Sequence, residues 1–208
     1  MSFYEKCRPI AHAVMRFLFR YEVDGTENVP DGPFLLCSNH ISFEDVILIG
    51  LGVKRQLHFM AKKEIFSVPL LKGLVKKLGA FPVNRGAADV GALRTAIKLL
   101  ESGESIVIFP QGTRCPGTEP SETKTMTGAA MLAYRTGVPV LPVYLDNKNH
   151  RPRIFRRYRV VYGKPIANAD LGIENGTAEE YRRAVDLIFD RICSLPRKYS
   201  PPKEKTKE

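Results

Sequence analysis

The 208-residue chain is predicted to fold as a single α/β domain, a mixed and largely parallel sheet flanked by helices. Three observations point there. Short apolar runs alternate with stretches of helical period along most of the chain, the pattern of an α/β layer structure. A hydrophobic content of 44% at this length suits one sizeable core. The longest apolar run, near Val46 to Val53, falls well short of the roughly 20 residues a bilayer-spanning helix needs.

In chain order, residues 34–37 read as a strand and a helix starts from Phe43. A strand at 57–60, a helix at 69–78 and a strand at 80–83 follow. The helix near 90–100 rests on period, since Val90, Leu93, Ile97 and Leu100 share one stripe. A strand at 105–109, a helix at 125–136 and a strand at 140–145 come next. The stretch "RPRIFRRYRVVYGKPI" after Asn149 reads as extended, with one strongly basic face, and is assigned to a sheet edge. Tyr181, Ala184, Val185, Ile188 and Ile192 mark a last helix, and the closing "SPPKEKTKE" has too little apolar surface to order itself.

The formal net charge of +10 implies attraction to polyanions: nucleic acid, an anionic membrane face or phosphorylated small substrates. No aromatic-basic signature of a nucleic-acid binder accompanies the charge. Four scattered cysteines without a C-x-x-C spacing argue against a zinc site or disulfide framework and fit a reducing, cytosolic setting. The N-terminus, broken by Arg8, Pro9, His12 and Arg16, lacks the pattern of a signal peptide. Two basic amphipathic stretches, "FYEKCRPIAHAVMRFLFR" and "KKEIFSVPLLKGLVKKLG", suit helices lying on an anionic lipid surface. Both also suit core-facing helices with a solvated basic back, and the aromatic content of the first tips it toward membrane contact.

Chemistry concentrates in "CSNHISFEDVILIG", residues 37–50. His40 leaves the carboxyl end of a strand, where open α/β sheets place ligands. An imidazole titrates near neutrality and can lift a proton from a hydroxyl when an acid fixes its tautomer, a part open to Asp45. The competing reading makes Ser42 and Asp45 a helix capping box and nothing more. In "VIFPQGTR", residues 107–114, Gly112 allows close backbone approach to an oxyanion or phosphate and Arg114 offers a planar fork for phosphate. "GAFPVNRG" delivers Arg85 beyond another strand end. Cys37 reads as a small core hydrophobe rather than a nucleophile. Cys115, beside Arg114, is placed near the site, and His12, His58 and His150 are read as structural or exposed.

The order of Asn39-His40-x-x-x-x-Asp45, "AKKEIF", "GAFPVNR", "FPQGTR" and "GVPVLPV" resembles the 1-acyl-sn-glycerol-3-phosphate acyltransferase family, the PlsC-like glycerolipid acyltransferases, over roughly residues 20–165. The resemblance implies a glycerolipid acyltransferase-like fold, with an N-terminal amphipathic segment at 1–20, an acyltransferase domain at 21–196 and a disordered basic tail at 197–208. It implies His40 as general base and Asp45 as its orienting acid, with no metal and no cofactor beyond acyl-CoA or acyl carrier protein as co-substrate. Lysophosphatidate is the implied acceptor, held by Lys62, Arg85, Gln111, Gly112, Thr113 and Arg114. Backbone amides near Gly112 are the candidate oxyanion donors. The implied place is cytoplasmic and peripheral, on the inner face of the membrane. Gln111 departs from the family's usual glutamate, keeping shape but not charge. A different acceptor, glycerol 3-phosphate or another lysolipid, and a non-catalytic lipid-binding protein are the alternatives.

Overall fold

A computed structural model describes residues 3–84 and 89–200. Its seven strands are β1 (Tyr21–Asp24), β2 (Leu35–Ser38), β3 (Leu57–Lys62), β4 (Ala80–Val83), β5 (Ser105–Ile108), β6 (Val140–Asn147) and β7 (Tyr158–Tyr162). They form one sheet in the order β1-β7-β6-β2-β5-β3-β4, parallel throughout except for the antiparallel β6–β7 pair. Every residue of β2 and β6 is buried. A parallel strand covered on both faces needs apolar residues on both, so these strands read as continuous runs rather than alternating ones.

Helices cover the two faces unequally. On one side Leu35, Cys37, Ile106 and Tyr144 pack with α4 (Val90–Glu101), α5 (Gly128–Thr136) and α6 (Ala178–Cys193). Ala92, Ala96, Ala129, Ala130 and Ala133 let α4 and α5 approach closely. On the other side Leu36, Val107, Leu141 and Val143 pack with α1 (Phe3–Phe19) and α2 (Asp45–Leu51) through Met15, Phe19, Leu48 and Ile49. The sixth helix, α3 (Pro69–Lys77), leads into β4. Because β2, β3, β4, β5 and β6 run in parallel, the chain segments that leave them gather along one edge of the sheet.

Three expectations need correction. The basic stretch after Asn149 is not an edge strand: β1, absent from the sequence-based assignment, pairs with β7 from Tyr21↔Tyr158 to Asp24↔Val161 and takes the edge itself. Only 158–162 is strand, because Tyr158, Val160 and Tyr162 supply buried side chains, whereas the arginine-rich residues before them form a loop. The helix after His40 begins at Asp45 rather than Phe43. The chain also stays anchored past 197. The buried Asp146 carboxylate accepts the backbone N–H of Tyr199 (2.8 Å) and Ser200 (2.9 Å) as well as that of Lys198. Residues 201–208 lie outside the described residues.

Arg197 adds a second anchor, donating to Glu119 Oε1 at 2.7 Å, while Glu119 Oε2 lies 3.1 Å from His150 Nε2. Burial pushes the Glu119 carboxyl up, but the bonds and charges of Arg197 and His150 outweigh it and hold it below the usual carboxylate range. A carboxyl depressed in the folded state contributes stability above its unfolded pKa, about 4.3, and loses that contribution as pH falls through its folded value. The melting temperature is therefore expected to fall below about pH 5, and Glu119→Gln should flatten part of that slope while costing about 1–3 kcal/mol at neutral pH. Thermal denaturation followed across pH 3–7 checks this.

Candidate active site

Beyond β2, the Asn39 side chain continues the ladder to β6. Its Nδ2 donates to Leu145 O at 3.0 Å, and its Oδ1 accepts from Leu145 N at 2.8 Å. That fixes the start of the loop that carries His40. Asp45 opens α2 fully buried, where a carboxylate is tolerable only if donors surround it. Four do. Oδ2 accepts from His40 Nδ1 (2.8 Å), Ile41 N (2.6 Å) and Ser42 N (2.8 Å), and Oδ1 accepts from Ser42 Oγ (2.8 Å).

The two readings of Asp45 are thus one arrangement: the carboxylate gathers the loop amides and holds the imidazole with the same oxygen. It is not a capping box, since Ser42 Oγ donates to the acid instead of accepting an amide. Donation from Nδ1–H to Asp45 assigns the tautomer and leaves the Nε2 lone pair available. Nε2 makes no hydrogen bond among the described residues, and His40 retains 7% exposure.

The strand β5 supplies the other wall. Phe109, the residue after it, stacks on the imidazole with centroids 3.8 Å apart and planes 12° off parallel. The 109–115 loop also takes both backbone groups of His40: His40 N donates to Gln111 Oε1 (2.7 Å), and Cys115 N donates to His40 O (2.9 Å). Gln111 Nε2 in turn donates to Thr123 Oγ1 at 2.8 Å, and that hydroxyl donates to Pro120 O. Expected at the substrate, Gln111 is instead 6% exposed with both ends of its amide engaged. It braces the loop, which a glutamate, having no donor for Thr123, would not do in the same way.

Gly112 has φ +67°, a left-handed conformation that costs other residues about 1 kcal/mol or more. Its own N–H donates to Phe109 O at 2.9 Å, so the expected oxyanion donor at this position is already engaged in the turn. The Thr113 and Arg114 amides make no hydrogen bond among the described residues. Arg114 lies over the Phe43 ring, its Cζ 3.6 Å from the centroid, and its guanidinium has no hydrogen-bond partner among the described residues. Lys62 ends β3, at the same sheet edge but two strands from β2, with its side chain exposed. Arg85 lies outside the described residues.

Cys37 is fully buried and burial pushes its thiol far up, which removes it as a nucleophile. Cys115 sits near the site through its amide; its Sγ faces Thr113 O at 3.8 Å. His12 bonds Tyr21 Oη, and His58 lies 3.2 Å from Gly79 O. Phe109 and Phe43 are absent from the sequence-based site, and Asn39 stands there only as a letter of the motif, with no role assigned. The signal available for Phe109 is its place at the carboxyl end of the strand at 105–109, at the edge where His40 is expected.

The chain resembles known proteins over most of its length. A family model described as Acyltransferase matches residues 20–146. A Bacillus subtilis protein named 1-acyl-sn-glycerol-3-phosphate acyltransferase is 31% identical over 199 residues, 94% of this chain and 98% of that one. A lyso-ornithine lipid O-acyltransferase of Pseudomonas aeruginosa is 33% identical over 128 residues, 61% of this chain and 48% of that protein. Among solved structures, the 1-acyl-sn-glycerophosphate acyltransferase PlsC of Thermotoga maritima matches with a TM-score of 0.66 and 27% identity, covering 97% of this chain and 86% of that one.

Because Asp45 satisfies four buried donors at once, Asp45→Ala should lower stability by about 3 kcal/mol or more, read as a lower urea midpoint at unchanged m-value. Asn39→Ala, which leaves the Leu145 backbone pair unmet, should cost about 1–3 kcal/mol in the same assay.

Proposed function

The chain belongs to the acyltransferase family, and from that premise we propose that it transfers an acyl group from acyl-CoA or acyl carrier protein to the free hydroxyl of 1-acyl-sn-glycerol 3-phosphate, giving phosphatidate. The observation that carries the reading is the His40–Asp45 pair with Nε2 left free, set beside a cationic fork.

In this reading His40 Nε2 takes the proton from the acceptor hydroxyl as its oxygen attacks the thioester carbonyl. Asp45 holds the ring by Nδ1–H and stabilises the imidazolium, and Phe109 keeps its plane fixed. The tetrahedral oxyanion is met by the Thr113 and Arg114 amides, the groups that the Gly112 turn leaves unengaged. Collapse expels the thiolate, which receives the proton from Nε2–H. Arg114 takes the acceptor phosphate through paired N–H donors, with Lys62 and Arg85 as further cations.

A lipid acceptor calls for contact with an anionic membrane surface, on the inner face of the membrane. No helix among the described residues is long and apolar enough to cross a membrane. Contact is assigned to α1 and to α3, where Leu74 is exposed beside Lys72, Lys76 and Lys77.

Purified protein supplied with lysophosphatidate and labelled acyl thioester should form phosphatidate. His40→Ala should lose about a thousandfold in kcat. Turnover unchanged without the imidazole contradicts the general-base role. Arg114→Ala should raise KM for lysophosphatidate about tenfold or more with kcat largely kept. Glycerol 3-phosphate and other lysolipids, run as competing acceptors, test the choice of acceptor directly.

A further inference from the structure

The loop that the sequence assigned to an edge strand has an unusual surface. From Arg151 to Arg157 every residue but Pro152 is exposed, and the segment holds four arginines around Ile154 and Phe155, the latter 57% exposed. Phe155 sits at φ +62°, a left-handed conformation that is a genuine outlier for a bulky residue. Its ring meets Phe17 of α1 edge to face, centroids 5.8 Å apart, and Phe17 is itself 71% exposed. Phe17 belongs to a stripe with Phe3, Ile10 and Val14, at spacings of seven, four and three, all exposed, while Met15 and Phe19 on the opposite face enter the core. Two elements distant in sequence therefore present one continuous apolar surface.

Charge says what covers it. No Asp or Glu occurs between Asp146 and Asp170, and α1 contains only Glu5, at its far end. Glu22 acts on Arg157 from the neighbouring edge strand, but Arg153 and Arg156 make no ion pair among the described residues. Aromatic rings ringed by unpaired arginines fit an interface with acyl chains below and anionic headgroups above. The placement fits too. The loop leaves β6 at the sheet edge that carries His40, and the 115–117 segment bridges the two indirectly: Cys115 N donates to His40 O (2.9 Å), and Gly117 N donates to the O of His150 (2.7 Å), just before the loop.

We propose that the 151–157 loop, together with the outer stripe of α1, is a docking surface for an anionic phospholipid bilayer, with Phe155 and Phe17 entering the acyl region and Arg153 and Arg156 engaging headgroups. The proposal rests on the acyltransferase reading only for why a lipid face is needed; the surface is argued from its own residues. It places the bilayer at the mouth of the site, so that a lipid acceptor reaches His40 without first leaving the membrane.

The test uses the full chain and vesicles of phosphatidylglycerol with phosphatidylcholine, or phosphatidylcholine alone, without substrate. Wild type should sediment with the anionic vesicles. Arg153→Gln/Arg156→Gln should weaken that partition roughly thirtyfold. Phe155→Asn, which removes the ring while tolerating the left-handed backbone, should weaken it about tenfold. Both variants should keep their melting temperature and their turnover of a short-chain, monomeric lysophosphatidate. The chain has no tryptophan, so Phe155→Trp supplies a single reporter whose emission should shift to the blue on anionic vesicles and be quenched by brominated acyl chains. Wild type indifferent to anionic lipid, variants that bind as wild type, or an unshifted reporter would each overturn the proposal. So would a loss confined to binding of acidic acyl carrier protein. Absence of turnover on the soluble acceptor, with vesicle binding intact, would instead count against the acyltransferase reading alone.

Discussion

The buried carboxylate of Asp45 is the interaction on which the rest of the site depends. An ionised group with no exposure must be surrounded by donors, and the loop from His40 to Ser42 has the right number within reach because it folds back over the first turn of α2. One oxygen serves the imidazole and two backbone amides together. Loop shape and ring orientation are therefore not independent, and a change that frees the loop also frees the base. The helix start adds to this, since its N–H dipoles favour a negative charge in the first turn.

Around that centre the support comes from backbone bonds rather than from charge. Asn39 ties one end of the loop to β6, and Gln111 and Cys115 tie His40 to the loop after β5. Gln111 gives this chain its own solution. Its amide offers an acceptor to His40 N and a donor to Thr123, so the position serves as a neutral brace between two loops. The positive charges lie outside this neutral shell, with Arg114 spread over Phe43 at its rim.

Much of the fold was legible because buried parallel strands write themselves as unbroken apolar runs. The strands at 34–37 and 140–145 followed directly from such runs, and α4 from helical period. The short β1 did not, since Tyr21–Asp24 alternates polar and apolar residues over only four positions and is defined by its partner. That omission misplaced β7 at the edge and hid the loop before it. In the site, His40 and Asp45 were legible by spacing, but sequence alone opposed capping to orientation, and only coordinates show that the same oxygen does both. Phe109 and Asn39 act through stacking and ladder pairing across sequence separations that no local pattern records.

Asp45 fixes His40 as the Nδ1–H tautomer and leaves Nε2 as the base. Long-range proton–nitrogen NMR of the imidazole rings measures this directly on the resting protein at a pH where the ring is neutral. His40 is expected to show a protonated Nδ1 with a strongly downfield proton, a signal lost in Asp45→Asn, and an unprotonated Nε2. A His40 ring protonated at Nε2, or one averaging between tautomers like a free imidazole, would contradict it.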